Sequence, residues 1–118
     1  MGFEVVQAEH GSVLLSFRAL PEHLNLQGVI HGGVLATLAD TAMGLAVRTA
    51  VEPGQRHVTI QLGVQYLHSA SPGAIRARGH VLRAGSQIAH ADAELVDDGE
   101  RVLARAQGTY AVAPERAE

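Results

Sequence analysis

The chain has 118 residues, no cysteine, and 12 Asp+Glu against 9 Lys+Arg, a formal charge of −3. Without cysteine, disulfides, thiolate zinc sites and a cysteine nucleophile are excluded, and with no clustered Lys/Arg run there is no electrostatic footprint for nucleic acid. The length fits one domain spanning 1–118, and with only 3% aromatic residues its core must be built from Val, Leu, Ile and Ala. No run of about 18 apolar residues occurs, and no basic segment followed by an apolar one opens the chain. Neither a membrane span nor a secretory leader is therefore expected, and the cytoplasm is the expected compartment.

Phe3 to Glu9 and Ser12 to Ala19 read as two strands of a hairpin joined by His10-Gly11, with Val13, Leu15 and Phe17 on one face. Pro21 ends the hairpin, and Leu20 to Ile30 has no clean period, so it reads as a loop. From Gly33 to about Ala50, Leu35, Leu38, Ala42, Leu45 and Ala46 recur at helical spacing, and Val34, Met43 and Val47 widen the apolar surface beyond one stripe. Pro53-Gly54 stops that helix.

His57 to His68 alternates Val58, Ile60, Leu62, Val64 and Tyr66 against polar residues and reads as a strand with one buried face. Ala74 to Ala84, Gln87 to Val96 and Arg101 to Val112 follow as three more strands. They are separated by Gly85-Ser86 and by Asp97-Asp98-Gly99, a strong hairpin signal. Ala89, Ala91 and Ala93 share one strand face, the smooth surface that close helix-on-sheet packing needs. Pro114 to Glu118 reads as a frayed tail. The order β-β-α-β-β-β-β predicts an α+β fold, one long central helix wrapped by an antiparallel sheet of about six strands.

Between Gly32 and Val47 the only charged residue is Asp40. A helix that is apolar all round is normally buried, and burying a lone carboxylate is costly, so Asp40 is expected to serve chemistry. Ahead of it stands His31-Gly32-Gly33, where the first helical N–H groups have no intrahelical partner. No Ser, Thr, Asp or Asn immediately precedes the glycines to cap them. With no Cβ to obstruct approach, a carbonyl could rest against the Gly32 N–H at the positive end of the helix dipole, which suits a developing oxyanion. The seven histidines lack ligand spacing, so no metal site is expected.

The run Asn25-Leu26-Gln27-Gly28-Val29-Ile30-His31-Gly32-Gly33-Val34-Leu35-Ala36-Thr37-Leu38-Ala39-Asp40-Thr41-Ala42 resembles the hotdog-fold acyl-CoA thioesterases, most closely the phenylacetate-pathway type. The likeness extends through Val58-Thr59-Ile60, Tyr66-Leu67, Gly73, Gly85 and Ala106-Gln107-Gly108-Thr109-Tyr110. It implies a hotdog fold and hydrolysis of an acyl-CoA to a free acid and coenzyme A, with no separate cofactor. Asp40 would be the nucleophile or the general base that activates water, and Gly32 the oxyanion donor. His31 would position the thioester carbonyl, and Asn25 would hold the attacking water or the carboxylate. Gly33 and Thr41 border the same stretch and count among the substrate-binding candidates. Arg83 and Arg56 are candidates for the phosphates of coenzyme A, and Gly85 and Ser86 for its pantetheine arm.

Some relatives carry Ser or Thr four residues after the carboxylate, where this chain has Gly44; that departure throws more of the work onto Asn25. In hotdog enzymes the His-Gly loop of one subunit faces the carboxylate of another. The spacing agrees, because nine residues of helix separate His31 from Asp40 by roughly 13 Å, too far to converge on one carbonyl carbon. An obligate homodimer with two shared sites follows as the expectation, pairing again into a tetramer as relatives do. Two other readings of the fold stay open: a non-hydrolytic acyl-CoA-binding module, and a hydratase or dehydratase of acyl thioesters. A sensing module is expected to carry an attached DNA-binding domain, for which 118 residues leave no room. A hydratase needs Asp and His at a different spacing.

Overall fold

A computed structural model describes residues 2–114, so all of the expected tail except Pro114 lies outside the described residues, and Pro114 itself closes the last strand. The elements are β1 (Phe3–Glu9), β2 (Ser12–Ala19), α1 (Gly32–Ala50), β3 (Gln55–Tyr66), β4 (Gly73–Ala84), β5 (Ile88–Asp97) and β6 (Val102–Pro114). A single 3-10 turn, Pro21–His23, and a bridge between Leu24 and Ile30 shape the expected loop. All strands pair antiparallel in one six-stranded sheet of order β1-β2-β4-β5-β6-β3. This is the helix-and-wrapped-sheet arrangement that the order of elements predicts.

Small side chains let the helix press into the sheet. Ala39, Ala42 and Ala46 of α1 and Ala89 and Ala91 of β5 are all but inaccessible, with Leu38 and Met43 filling the gaps between them. Each such large apolar side chain contributes about 1.5–3 kcal/mol through burial. The closest approach is at Gly79 of β4, where a Cβ would stand 2.2 Å from the Ala42 carbonyl oxygen. No side chain fits there, so this glycine fixes the distance between helix and sheet.

Two expectations fail on the helix and on β3. The helix is not enclosed all round: Gly33, Thr37 and Arg48 are exposed, and Ala36, Asp40 and Thr41 are half-buried. The sheet curls around only one side, leaving a stripe of α1 open along the side where β3 is the edge. Nor does β3 keep one buried face. Thr59 pairs with Tyr110 and Gln61 with Thr109, so Ile60 is an extra, bulged residue. A bulge shifts the two-residue alternation by one. Before it, His57 and Thr59 face the helix while Val58 and Ile60 point outward, 55% and 57% exposed. After it, Leu62 and Val64 turn inward against the core.

Candidate active site

β3 runs along α1 in the opposite direction, and the helix meets it at three successive levels. Tyr66 at the end of β3 lies against Gly32, Thr59 against Asp40, and His57 against Gly44. The middle level is the polar one. Asp40 Oδ1 accepts a hydrogen bond from the Thr59 hydroxyl at 3.0 Å and another from the Tyr110 hydroxyl at 2.8 Å. Tyr110 also reaches the Asp40 carbonyl at 3.2 Å, so its phenol pins both main chain and side chain of that helical turn.

Burial first, and then the Asp40 carboxylate, push the Tyr110 phenol well above the ordinary tyrosine range, so it stays protonated and remains a donor. Among the described residues nothing bonds to Asp40 Oδ2. One carboxylate oxygen is therefore held by two donors while the other is available to a substrate or a water.

The helix start is arranged differently from the expectation. His31 is itself the cap: its Nδ1 accepts from the Gly33 N–H at 3.0 Å, and its carbonyl accepts from the Val34 N–H at 2.9 Å. The Gly33 donor is thus occupied by His31 Nδ1, while Nε2 of the ring bonds to nothing among the described residues. Histidine is not a preferred capping type, which is why the sequence gives no warning. Gly32 N–H has no acceptor among the described residues and remains free. On its other side, Tyr66 donates its hydroxyl to the Gly32 carbonyl at 2.8 Å, and its ring would stand 3.3 Å from a Cβ placed on Gly32.

Asn25 proves to be both a turn residue and a pocket residue. Its Oδ1 accepts from the Gln27 and Val29 N–H groups at 2.9 and 3.3 Å, which shapes the loop leading to the helix. Its amide nitrogen has no bonding partner among the described residues. Asn25, Gly32, Val29, Leu35, Tyr66 and Leu67 line a pocket of about 270 Å³, and Asp40 is not among its walls. Within one chain the structure therefore brings Asn25 and Gly32 together and keeps Asp40 apart from both.

The remaining candidates fall elsewhere. Thr41 is half-buried beside Asp40 on the helix and makes no side-chain hydrogen bond among the described residues. Arg83 is exposed near the end of β4, and Gly85 closes the following turn by donating its N–H to the Ile88 carbonyl at 2.8 Å, with Ser86 exposed at the turn. Arg56, exposed near the start of β3, pairs with Ala113, and the Val112 N–H bonds to the Gln87 carbonyl. Both arginines thus stand at the end of the sheet that faces the C-terminal half of α1. None of these groups lines the pocket at Gly32.

Sequence reasoning missed Thr59 and Tyr110 as partners of Asp40. Their hydroxyls come from β3 and β6, on residues directly paired across the two strands. Thr59 and Tyr110 are 19 and 70 residues from Asp40, beyond the reach of any local pattern.

A long helix laid on a curled antiparallel sheet, with a supported carboxylate at mid-helix and a free N–H at its start, defines a hotdog-fold hydrolase. A profile of the thioesterase superfamily matches residues 27–104, and the chain belongs to that family, the thioester hydrolases. Human acyl-coenzyme A thioesterase 13 is 31% identical over 107 residues, covering 90% of this chain and 75% of that one. A medium/long-chain acyl-CoA thioesterase of Salmonella typhimurium is 31% identical over 127 residues, covering 95% and 82%. A Streptococcus mutans protein solved bound to acetyl CoA superposes with a TM-score of 0.90 at 27% identity, over 99% of this chain and 93% of that one.

Proposed function

We propose that the chain hydrolyses an aryl- or alkyl-acyl-CoA to the free acid and coenzyme A at a site shared by two copies of itself. Asp40 supplies the carboxylate and Gly32 of the partner subunit the oxyanion donor. The observation that carries this reading is the Asp40 carboxylate, held at one oxygen by Thr59 and Tyr110 and open at the other, on a stripe of helix that its own chain leaves uncovered. The named substrates of the human and Salmonella relatives, and the acetyl CoA bound by the Streptococcus mutans protein, support coenzyme A as the carrier.

The separation between Asp40 and the Gly32 pocket supports a second chain. β3 is a sheet edge whose free N–H and C=O groups are a template for another strand, and its outward Val58 and Ile60 offer apolar surface beside it. Joining two such edges places the open stripe of one helix against the partner. The outer face of the sheet, with its Glu94–Arg105 ion pair, is left for a second dimer.

In the reaction, the acyl group enters the pocket at Gly32 and its carbonyl oxygen accepts from the Gly32 N–H, beside the Asn25 amide. Asp40 either takes a proton from a water that attacks the carbonyl carbon or attacks it directly, forming a mixed anhydride that water then cleaves. Either way the C–S bond breaks, the electron pair leaves on the coenzyme A sulfur, and the proton released from water neutralises that thiolate. Arg56 and Arg83 meet the coenzyme phosphates, Gly85 and Ser86 border the pantetheine arm, and no further cofactor takes part. The pocket wall sets the aliphatic Val29, Ile30, Leu35 and Leu67 beside the polar Asn25, His68 and Ser69, a mixed lining that suits a range of acyl shapes.

Thiol release from a panel of aryl- and alkyl-CoA thioesters tests the proposal. Asp40→Asn should lose at least about 10²-fold in turnover while keeping both Thr59 and Tyr110 contacts. Wild-type turnover in that variant would overturn the assignment, and acyl-CoA binding by the natural chain without thiol release would favour a binding module.

A further inference from the structure

His57 has no part in the reaction as drawn, yet its ring is packed from two sides, by Gly44 and by Tyr110. It lies two residues before Thr59 on the same face of β3, half-buried, its ring 6.0 Å from that of Tyr110 and inclined at 70° to it. Its Nε2 occupies the space a side chain at position 44 would need: a Cβ on Gly44 would stand 3.1 Å from it. The glycine four residues after Asp40 is therefore the niche for this ring. On the other side of the ring, Nδ1 is wholly buried and has no hydrogen-bond partner among the described residues.

An imidazolium carries a proton on both ring nitrogens, and a buried N–H without an acceptor is costly. The niche thus accepts the neutral ring and rejects the charged one. The titratable and charged groups facing the ring are Arg48 and Asp40 from α1 and Tyr110 from β6. Burial first, then Arg48, hold the ring's proton affinity below the ordinary histidine value, and Asp40 opposes them.

We infer that His57 is a positioning residue for Asp40, whose neutral ring keeps the Tyr110–Asp40–Thr59 cluster assembled and whose protonation takes it apart. The neutral ring, wedged between Gly44 and Tyr110, holds the phenol in place to donate to Asp40. Once protonated, the ring leaves the niche for the only anion facing it among the described residues, the Asp40 carboxylate. The oxygen needed for attack is then tied up in an ion pair, and Tyr110 loses its support. This inference rests on the reading of Asp40 as the reacting carboxylate, and it makes His57 the group that sets the acid limit of activity.

The test follows kcat and KM against pH for the natural chain and for His57→Gln, alongside an NMR titration of the His57 ring in the natural chain. The acid limb of kcat should coincide with the ring titration, below pH 6.5. In His57→Gln the limb should move down by about one pH unit or more while KM stays within about twofold. A limb that stays in place in His57→Gln, or a ring that titrates apart from it, would overturn the inference. Thermal melting of Gly44→Ser, His57→Gly and the double variant adds a readout independent of turnover. Gly44→Ser should destabilise the natural chain and be tolerated when His57 is gone, whereas additive losses would show that ring and niche are not coupled. Retained turnover in Asp40→Asn would remove the catalytic reading and leave the ring titration and the melting cycle to report on His57 alone.

Discussion

Thr59 stands directly across the β3–β6 ladder from Tyr110, and the two hydroxyls converge on the same oxygen of Asp40, at 3.0 and 2.8 Å. The pairing depends on the bulge at Ile60, which lets the first half of β3 turn polar residues toward the helix while the second half turns Leu62 and Val64 inward. Removing either donor should loosen the carboxylate without touching the acyl pocket. Tyr110→Phe, which keeps the buried ring, is expected to lower kcat by about 10- to 10²-fold, on the scale of a hydrogen bond to a charged group. Thr59→Ala, at a more exposed position, is expected to cost about tenfold. Steady-state kinetics should show KM nearly unchanged in both; an effect confined to KM would contradict this role.

Gly32 offers an unusually clean test of the oxyanion donor. His31 has φ −59° and ψ 133°, the conformation favoured ahead of a proline, and proline is well tolerated at the first helical position. Gly32→Pro should therefore keep the helix start and delete the N–H, while its Cβ crowds Tyr66 as an alanine's would. A loss of about 10²–10³ in kcat is expected, whereas Gly32→Ala, which keeps the donor and asks Tyr66 to give by a few tenths of an ångström, should lose far less. Equal losses in the two variants would show that crowding, not the donor, is responsible.

The histidine that refuses a proton also shapes stability. Because the His57 pKa is lowered on folding, the unfolded chain binds a proton that the folded chain does not as pH falls below 6.5, so stability declines on acidification from that point until the folded ring itself titrates. Asp97 acts in a lower window. The Arg101 N–H, and after it the Gly99 N–H, hold its carboxylate below 3.8, so its contribution is present above that value and lost beneath it. Melting temperature measured against pH should begin to fall below pH 6.5 in the natural chain, and His57→Gln should flatten that part of the curve. A curve that stays level until the carboxylate range would contradict it.

Much of the fold was legible because it is written in local patterns. Leu35, Leu38 and Ala42 mark the helix, and Ala89, Ala91 and Ala93 mark the face it packs on, all buried as their spacing predicts. Asp40 stood out because its neighbours are apolar. Three things were not legible, each for a physical reason. The bulge falls on Ile60, an ordinary strand residue, so nothing in the alternation announces that one residue is left unpaired. The donors to Asp40 belong to distant strands. The capping role of His31 depends on ring geometry that residue type alone does not disclose.

If each site takes its carboxylate from one chain and its oxyanion donor from another, variants that lack one group each must complement. Asp40→Asn and Gly32→Pro chains, each inactive alone, are unfolded, mixed in equal amounts, refolded together and assayed for thiol release from an acyl-CoA. Half of the random dimers are then mixed, and each mixed dimer holds one intact site of two, so about a quarter of wild-type activity should return. Activity no higher than that of the separate variants, in a mixture shown to contain mixed dimers, would place Asp40 and Gly32 of each site in the same chain and contradict the account.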